Sequence, residues 1–283
     1  MAHKPVTREE CEMKRFNFIL MLALLFPAIG GYAQHGTGES YAPASGQEGK
    51  DVVWVPTSQE LVDTMLDMAK VTSSDYVIDL GSGDGRLVIT AAKRGARALG
   101  IEYNPELVEY SRRAATKEGV GAKATFAKAD IFESDFSKAT VITMFLLPQL
   151  NLDLRPKILD MKPGTRIVSN TFDMGDWQAD ETIELELFDT SHRTALLWIV
   201  PAKVDGTWKL GDGQINFTQD FQNISGTLTT AQGSVEFTGK LNGNKISFAA
   251  GSVRYTGTVR GRTISGTRTG GGSWRWKATR VEP

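Results

Sequence analysis

Residues Asp75–Arg86 read DYVIDLGSGDGR, and this stretch predicts both the fold of the chain and the place of a ligand. It begins with alternating apolar side chains, as in a buried strand, and from Asp79 onward it holds three glycines, two acids and a serine. A glycine-rich turn between a strand and a helix lets the backbone lie close to a ligand. In doubly wound sheets such turns bind nucleotides at the carboxyl ends of the strands. We therefore expect a nucleotide-like ligand at this turn.

The spacing of the glycines excludes two common phosphate-binding loops. GSGDG places its third glycine one residue too early for the dinucleotide pattern G-x-G-x-x-G, and the pattern G-x-x-x-x-G-K-[ST] is absent from the sequence. Asp84, inside the loop, would also repel a pyrophosphate. A cationic nucleoside fits better, with Asp79 and Asp84 near a positive amino acid group and Glu102 accepting both ribose hydroxyls. S-adenosylmethionine has these parts.

Alternating helix and strand patterns surround this loop from Val55 onward. Thr57–Glu60 matches a capping box, and apolar residues follow it at helical spacing. Strands that alternate with helices predict a mostly parallel sheet covered on both faces. No helix separates the last two strands, so we expect them to be an antiparallel pair at one edge. The predicted strands are YVIDL, RALGIE, ATFAKAD, TVITMFLL, TRIVSNTF, IELELF and TALLWIV, with helices from Arg86, from Asn104-Pro105 and over Leu150–Met161.

Three segments, DLGSGDGR, GIEYNPELVEYSRRAA and AKADIF, resemble the successive cofactor motifs of class I S-adenosylmethionine-dependent methyltransferases over roughly residues 55–201. VPT, GSGDGRLVITAAKRGARALGIEYNP and FLLPQLNLDLRPKI are similar to one group of them. That group contains archaeal protein-lysine methyltransferases and the mitochondrial enzymes that methylate lysines of the ATP synthase c subunit and the adenine nucleotide translocase. The resemblance implies a seven-stranded Rossmann-like fold and S-adenosylmethionine as cofactor. It also implies that the cofactor is bound by Gly81, Ser82, Gly83 and Gly85 on the methionine side, Glu102 at the ribose, Asp130 and Ile131 at the adenine, and Thr57.

The segment after the fourth strand bears on the methyl acceptor. Many amino-group methyltransferases carry [DN]-P-P-[YF] there to hold a planar amine, whereas this chain has LPQLN at 147–151. The departure argues against adenine or glutamine acceptors, and the resemblance implies a protein lysine. A lysine must first lose a proton, so we expect a narrow apolar channel and a nearby proton acceptor. We assign the channel to Phe145, Pro148, Asn151, Phe172 and Trp177, and the proton acceptor to Asp173 or Asp176, although the aromatic residues also fit a core and the acids a solvated loop.

Charge and cysteine usage exclude other classes of function. The chain has 32 Lys and Arg against 33 Asp and Glu, a net charge of -1, which favours neither specific nucleic-acid binding nor an acidic tail. Its histidines, His3, His35 and His192, and its single Cys11 show no metal-ligand spacing and no Cys–His nucleophile pair. We therefore expect no metal site and no thiol chemistry.

The first residues resemble a targeting segment more than a folded domain. Lys14 and Arg15 precede the apolar run Phe16–Phe26, and Gly31 and Ala33 offer small residues for signal cleavage. We expect a signal peptide or short membrane anchor over 1–33, and hence a protein that is exported or membrane-anchored, with possible association with a membrane or cell surface. Residues 34–50 are rich in Gly, Ser, Ala and Gln and predict a disordered linker.

The last eighty residues have a different pattern from the methyltransferase-like part, 51–203. Residues 204–283 alternate apolar and polar side chains between glycine turns, which predicts a small antiparallel sheet or barrel. FTGKLNGNKIS and YTGTVRGRTIS repeat one scheme within it. Ten Lys and Arg against five Asp and Glu give this part a net charge of +5. The basic surplus fits a docking face, and it equally fits ordinary solvent-facing strand positions.

Two interpretations of the whole chain remain open on sequence alone. In the first, the chain is an S-adenosylmethionine-dependent methyltransferase that acts on a lysine of a protein substrate. In the second, it is an exported, non-catalytic binding protein with a nucleoside-binding fold and a surface-binding β module. The cofactor motifs favour the first interpretation. The targeting segment favours the second, because S-adenosylmethionine is made in the cytosol.

Overall fold

Seven strands form a mixed sheet in the computed structural model, which describes residues 41–186 and 191–282. They are β1 Tyr76–Leu80, β2 Arg97–Glu102, β3 Ala124–Lys128, β4 Val141–Met144, β5 Arg166–Asn170, β6 Glu181–Glu184 and β7 Thr194–Ile199. Their order is β3-β2-β1-β4-β5-β7-β6. Strands β1 to β5 are parallel, and β7 is antiparallel to both β5 and β6. The Rossmann-like fold and its antiparallel edge are therefore confirmed. Strand β6 begins two residues before the predicted strand IELELF. The last two residues of that predicted strand lie outside the described ranges.

Helices cover both faces of this sheet. They are α1 Gln59–Met68, α2 Arg86–Lys93, α3 Pro105–Lys117 and α4 Pro148–Leu159. Successive strand side chains point to opposite faces, so Val77 joins a core with α1, α2 and α3, whereas Ile78 and Leu80 join a core with α4. Asp79 shares the Val77 side. No helix within 41–186 or 191–282 combines the length and the apolar character needed to cross a bilayer.

The start of α1 differs from the predicted capping box. Ser58 is the N-cap, and its Oγ accepts a hydrogen bond from the Leu61 N–H at 3.3 Å. Thr57 lies one residue outside the helix, where its Oγ1 accepts a hydrogen bond from Asn170 Nδ2 at 3.1 Å. The capping prediction was wrong by one residue. Thr57 instead joins the beginning of α1 to the end of β5.

Residues 41–57 form a segment with defined contacts, which we call the N-terminal strap. The predicted signal or anchor, 1–33, and residues 34–40 of the predicted linker lie outside the described residues. Within the strap, Gly46 N–H donates to the Trp54 carbonyl at 2.8 Å, and Trp54 N–H donates to the Gln47 carbonyl at 2.9 Å. The Tyr41 ring packs edge-on against Tyr110 of α3, with ring centroids 6.5 Å apart. Residues 41–50 are therefore not the disordered linker that we expected.

Eight antiparallel strands after residue 203 close into a barrel. They are β8 Gly206–Leu210, β9 Gly213–Asp220, β10 Asn223–Thr230, β11 Gly233–Asn242, β12 Lys245–Ala250, β13 Val253–Arg260, β14 Thr263–Thr269 and β15 Ser273–Arg280. Each strand pairs with the next, and β15 pairs with β8. The two sequence repeats are the successive hairpins β11–β12 and β13–β14. Their aromatic residues, Phe237 and Tyr255, and their isoleucines, Ile246 and Ile264, point into the barrel core.

The barrel packs directly against the sheet-containing part. The Phe221 ring, in the turn between β9 and β10, stacks on Trp177 with centroids 5.7 Å apart and an interplanar angle of 13°. Phe221 has a φ of 51°, a conformation that is uncommon for a bulky residue. Beside it, Gln222 Nε2 donates to the Gln178 carbonyl at 2.8 Å. This turn therefore holds the barrel against the chain that follows β5.

Candidate functional site

A pocket of 260 Å³ lies at the carboxyl-terminal edge of the sheet. The order of the parallel strands reverses between β1 and β4, and ligands of open α/β sheets bind at such a switch point. We call the part at the ends of β1, β2 and β3 the nucleoside side. The part at the ends of β4 and β5 and the start of β7 is the aromatic side. Of the residues predicted from sequence, the pocket is lined by Thr57, Asp79, Gly81, Ser82, Gly83, Asp84, Glu102, Asp130, Ile131, Phe145 and Phe172.

Glu102 fixes the glycine loop on the nucleoside side. Its Oε2 accepts a hydrogen bond from Gly83 N–H at 2.9 Å, and its Oε1 accepts one from Asn104 N–H at 2.9 Å. Gly83 has a φ of 52°, and a Cβ there would lie 2.2 Å from Trp54 Nε1. Glycine therefore allows the Trp54 indole of the strap to lie against the loop. Each carboxylate oxygen of Glu102 has a second lone pair, which a ligand hydroxyl can use.

Asp79 is a buried carboxyl at the base of the glycine loop. Only 6% of its surface is exposed, and its Oδ1 accepts a hydrogen bond from Thr143 Oγ1 at 2.7 Å. Burial raises the pKa of Asp79 to about 7 against the lowering effect of the Thr143 hydrogen bond. The negative charges of Glu102 and Asp84 are smaller contributors to this raised pKa. A cationic ligand would relieve this concentration of negative charge.

Asp84 is already paired within the protein. The Arg86 side chain donates to its carboxylate through Nε at 2.9 Å and through Nη2 at 2.6 Å. Arg86 Nη1 donates in addition to the Thr57 carbonyl at 2.6 Å. Asp84 was expected to face a ligand cation, but its carboxylate is already paired with the Arg86 guanidinium. Through its bond to Thr57, Arg86 also holds the glycine loop to the segment just before α1.

Asp130, at the end of β3, meets the strap. Lys50 Nζ donates to its Oδ2 at 2.6 Å, and Phe132 N–H donates to its Oδ1 at 2.9 Å. These bonds hold the pKa of Asp130 below its usual range, with the Lys50 bond as the larger cause. Lys50 Nζ also lies 5.3 Å from the centre of the Tyr103 ring. The strap thus crosses the end of the pocket where the resemblance puts adenine. Sequence reasoning missed this, because Lys50 and Asp130 are 80 residues apart.

Three rings form the aromatic side of the pocket. Phe145 follows β4, Phe172 follows β5, and His192 precedes β7. The Phe145 and Phe172 centroids are 6.0 Å apart, and the His192 ring lies 5.0 Å from Phe145 and 6.0 Å from Phe172. His192 was not expected at the site, because the spacing of the histidines suits neither a metal site nor a Cys–His pair. The missed signal is topological: β7 runs antiparallel, so the residue before it reaches the edge where the parallel strands end.

The chain between β5 and Phe172 is held firmly. Thr171 has a φ of 64°, an outlying conformation for a β-branched residue, which is retained only where neighbouring contacts enforce it. Its Oγ1 donates to Asn170 Oδ1 at 2.8 Å, and Ser169 Oγ donates to the Phe172 carbonyl at 2.6 Å. Asn151 of α4 donates from Nδ2 to the Phe172 carbonyl at 3.1 Å. Phe172 is therefore positioned before any ligand binds.

Four of the expected site residues do not line the pocket. Asn151 is fully buried beneath Phe172, and Pro148 is an exposed residue in the first turn of α4. Gly85 is the N-cap of α2, and a Cβ there would lie 2.7 Å from the Phe126 ring. Trp177 is completely buried between Trp198 and Phe221. Trp177 is therefore a core residue and not the channel wall that we expected.

The two expected proton acceptors also lie away from the pocket lining. Asp173 is exposed, and its Oδ1 accepts a hydrogen bond from Gly175 N–H at 3.0 Å within the turn. The Asp176 side chain is 77% exposed and is paired with Arg155 of α4. That pair holds the pKa of Asp176 below its usual range, which makes the carboxylate a weaker base. Neither acid is placed to take a proton from a ligand in the pocket.

The chain is similar to several methyltransferases. Residues 79–181 match the family described as the ANTKMT methyltransferase domain. The chain is 43% identical over 152 residues to a protein-lysine N-methyltransferase from Saccharolobus islandicus, with 53% of this chain and 94% of that protein covered. It is 36% identical over 128 residues to the human lysine N-methyltransferase named for the ATP synthase c subunit. That match spans 45% of this chain and 54%, about half, of the human protein.

A solved structure identifies the cofactor. The crystal structure of an RNA methyltransferase from Salinibacter ruber in complex with S-adenosyl-L-homocysteine is 45% identical. It has a TM-score of 0.50 and covers 53% of this chain and 96% of that chain. S-adenosyl-L-homocysteine is S-adenosylmethionine without its transferred methyl. The nucleoside side fits this cofactor, because Asp79 offers a carboxylate to a cation and Glu102 offers acceptors to ribose hydroxyls. The cofactor is therefore S-adenosylmethionine.

Cofactor binding should weaken as the pH falls below 7. A cationic ligand favours ionised Asp79, and with a pKa near 7 this form is about a tenth of the protein at pH 6. We expect the apparent Kd for S-adenosylmethionine to be about tenfold larger at pH 6 than at pH 8, as measured by titration calorimetry. Thr143→Val removes the bond that lowers this pKa and should move the transition to higher pH. An affinity that does not change with pH would argue against Asp79.

Proposed function

Since this chain belongs to the methyltransferase family of the Saccharolobus islandicus protein-lysine N-methyltransferase, we propose that it transfers a methyl group from S-adenosylmethionine to the side-chain amine of a lysine in a protein. The aromatic side of the pocket is the observation that carries the proposal. Phe145 and Phe172 are half-buried rings, and Leu146 and Leu147 add apolar side chains beside them, whereas a planar base would be held there by an amide or carboxylate. Such a surface suits the long aliphatic stem of lysine.

The chemistry of lysine explains why an apolar site is useful. With an ordinary pKa of about 10.4, a lysine amine costs about 4.6 kcal/mol to deprotonate at pH 7. An apolar wall disfavours the charged form and so lowers this cost. The strained backbone at Thr171 and the bonds from Asn151 and Ser169 to the Phe172 carbonyl hold the backbone that carries the Phe172 ring. The site is thus preorganised to receive a neutral amine.

The nucleoside side would hold the cofactor with the residues already described. S-adenosylmethionine supplies an electrophilic methyl group on a sulfonium. We assign Glu102 to the ribose hydroxyls, Asp79 to the cationic amino acid part, and Asp130 with Ile131 to the adenine. The glycines of the loop, Gly81 and Gly83, let the backbone approach. Because Lys50 is bonded to Asp130, adenine binding at Asp130 requires that Lys50 share or release this carboxylate.

RNA is the alternative acceptor, because the Salinibacter ruber structure carries the words RNA methyltransferase in its name. A base could stack on Phe145, but its exocyclic groups would then need polar partners beside the ring. The side chains of Leu146, Leu147 and Leu150 on this side offer none, and the single His192 imidazole beside Phe145 cannot satisfy the several polar groups of a base edge. The net charge of -1 gives no general attraction to a polyanion. Protein lysine is therefore the better-supported acceptor.

Labelled methyl transfer decides between the two acceptors. The full chain is incubated with S-adenosylmethionine carrying a labelled methyl, together with separate protein and RNA fractions of a cell extract. We expect label in the protein fraction, recovered as methyl-lysine after acid hydrolysis. A protein fraction whose lysines have first been acetylated is the matched control and should take up little label. Label in the RNA fraction alone would overturn the proposal.

A further inference from the structure

We infer that His192 binds the acceptor amine and takes its proton before the methyl group is transferred. The inference deepens the proposed function and rests on it for the identity of the amine. It assigns a catalytic role to a residue two positions before β7, next to the two phenylalanine rings of the aromatic side.

The imidazole is the proton-accepting side chain of the aromatic side. Among described residues, the other side chains that line this side are all apolar: Met144, Phe145, Leu146, Leu147, Leu150 and Phe172. Asp173 and Asp176 are exposed and lie outside the pocket lining. Asp79 lies under the glycine loop, bonded to Thr143 and close to Glu102. His192 thus has the position that a base for an amine in this part of the pocket requires.

The neighbouring rings favour the same role. Phe145 and Phe172 present aromatic surface to the space beside His192, and such surface attracts an incoming ammonium ion. The apolar surroundings then favour loss of the charge. In the step itself, an N–H bond of the ammonium breaks, its electron pair stays on the amine nitrogen, and the proton forms an N–H bond with the imidazole. Solvent at the half-buried ring afterwards accepts this proton.

A cofactor analogue tests the role by binding alone. Sinefungin resembles S-adenosylmethionine but carries an amine-bearing carbon in place of the methylated sulfur, so its amine lies near the position of methyl transfer. S-adenosylhomocysteine lacks this amine. His192→Phe keeps an aromatic ring against the two phenylalanines and removes the nitrogen that can accept a hydrogen bond. We expect this change to weaken sinefungin about tenfold or more and S-adenosylhomocysteine less than about twofold, in titration calorimetry.

Two further variants separate this role from a structural one. His192→Asn keeps a hydrogen-bond acceptor and should retain part of the preference for sinefungin. Arg193→Gln alters the next residue, which is exposed and bonded to Glu184, and should leave both affinities unchanged. Equal weakening of both ligands by His192→Phe, or no weakening of either, would overturn the inference. If the sinefungin effect holds but protein lysine takes up no label, the acceptor assignment fails and amine binding by His192 stands.

Discussion

Replacing Glu102 with alanine should weaken S-adenosylmethionine binding by about ten- to more than a hundredfold, because a hydrogen bond to a charged group contributes about 1.5–3 kcal/mol. The variant loses the proposed partner of the ribose. It also leaves the backbone N–H groups of Gly83 and Asn104 without the acceptor that now orders the loop. The ratio of the dissociation constants, measured by titration calorimetry on folded protein, gives the effect.

Two matched variants define what the Glu102 result means. Glu106→Ala removes an exposed acid from the first turn of α3, outside the pocket lining, and should leave the affinity unchanged. Glu102→Gln keeps one acceptor oxygen but turns an NH₂ group toward a backbone donor, so it should also bind weakly. An unchanged dissociation constant for Glu102→Ala would remove this residue from the cofactor site.

Replacing Trp177 with alanine should lower the free energy of unfolding by about 3–5 kcal/mol, the usual cost of truncating a large buried aromatic residue. Trp177 is completely buried and touches both Trp198 in the sheet and Phe221 in the barrel turn. Its loss would therefore leave a cavity where the two parts of the chain meet. Equilibrium urea unfolding, followed by circular dichroism, measures the change.

The comparison with an exposed tryptophan makes the Trp177 result specific. Trp274 on β15 is 48% exposed, and Trp274→Ala should change the stability by no more than about 0.5 kcal/mol. Folded Trp177→Ala protein should bind S-adenosylmethionine as the unaltered protein does. If Trp177→Ala had normal stability and only a raised KM for the acceptor, Trp177 would be a residue of the channel wall. That result would contradict its assignment to the core.

The parts of the fold that could be predicted are those encoded locally. The alternation in YVIDL and the glycines after it are local signals, and β1, the turn and α2 followed from them. The glycine-turn repeats of the barrel are equally local, because each hairpin is contiguous in sequence. By contrast, the apolar residues of the segment between β5 and β6 do not recur at helical or strand spacing. The sequence therefore does not show which of these residues lie in the core and which line the pocket. For that reason the sequence could not show that, of the two residues expected in the channel wall, Phe172 lines the pocket and its near neighbour Trp177 is buried in the core.

The unpredicted parts of the candidate site depend on distant contacts. Glu102 was expected at the pocket because strand ends carry ligands in parallel sheets, and it does line the pocket. His192 was missed because its position depends on the direction of β7. The strap was misjudged because its composition is typical of linkers, whereas its order comes from partners such as Tyr110 and Asp130 far along the chain. Asp84 was assigned to the ligand since a salt bridge with Arg86 cannot be inferred from a glycine loop alone.

The closure of the barrel has a consequence for how the protein folds. Most pairings of β8 to β15 join adjacent hairpin strands, which form quickly because little chain entropy is lost. The last pairing, β15 with β8, is different: Arg280 donates to the Asp205 carbonyl across 75 residues of sequence. Non-local pairings of this kind slow folding. Until it forms, β8 and β15 each present an open edge, and open edges pair readily with other chains. The step most exposed to aggregation during synthesis is therefore this final closure.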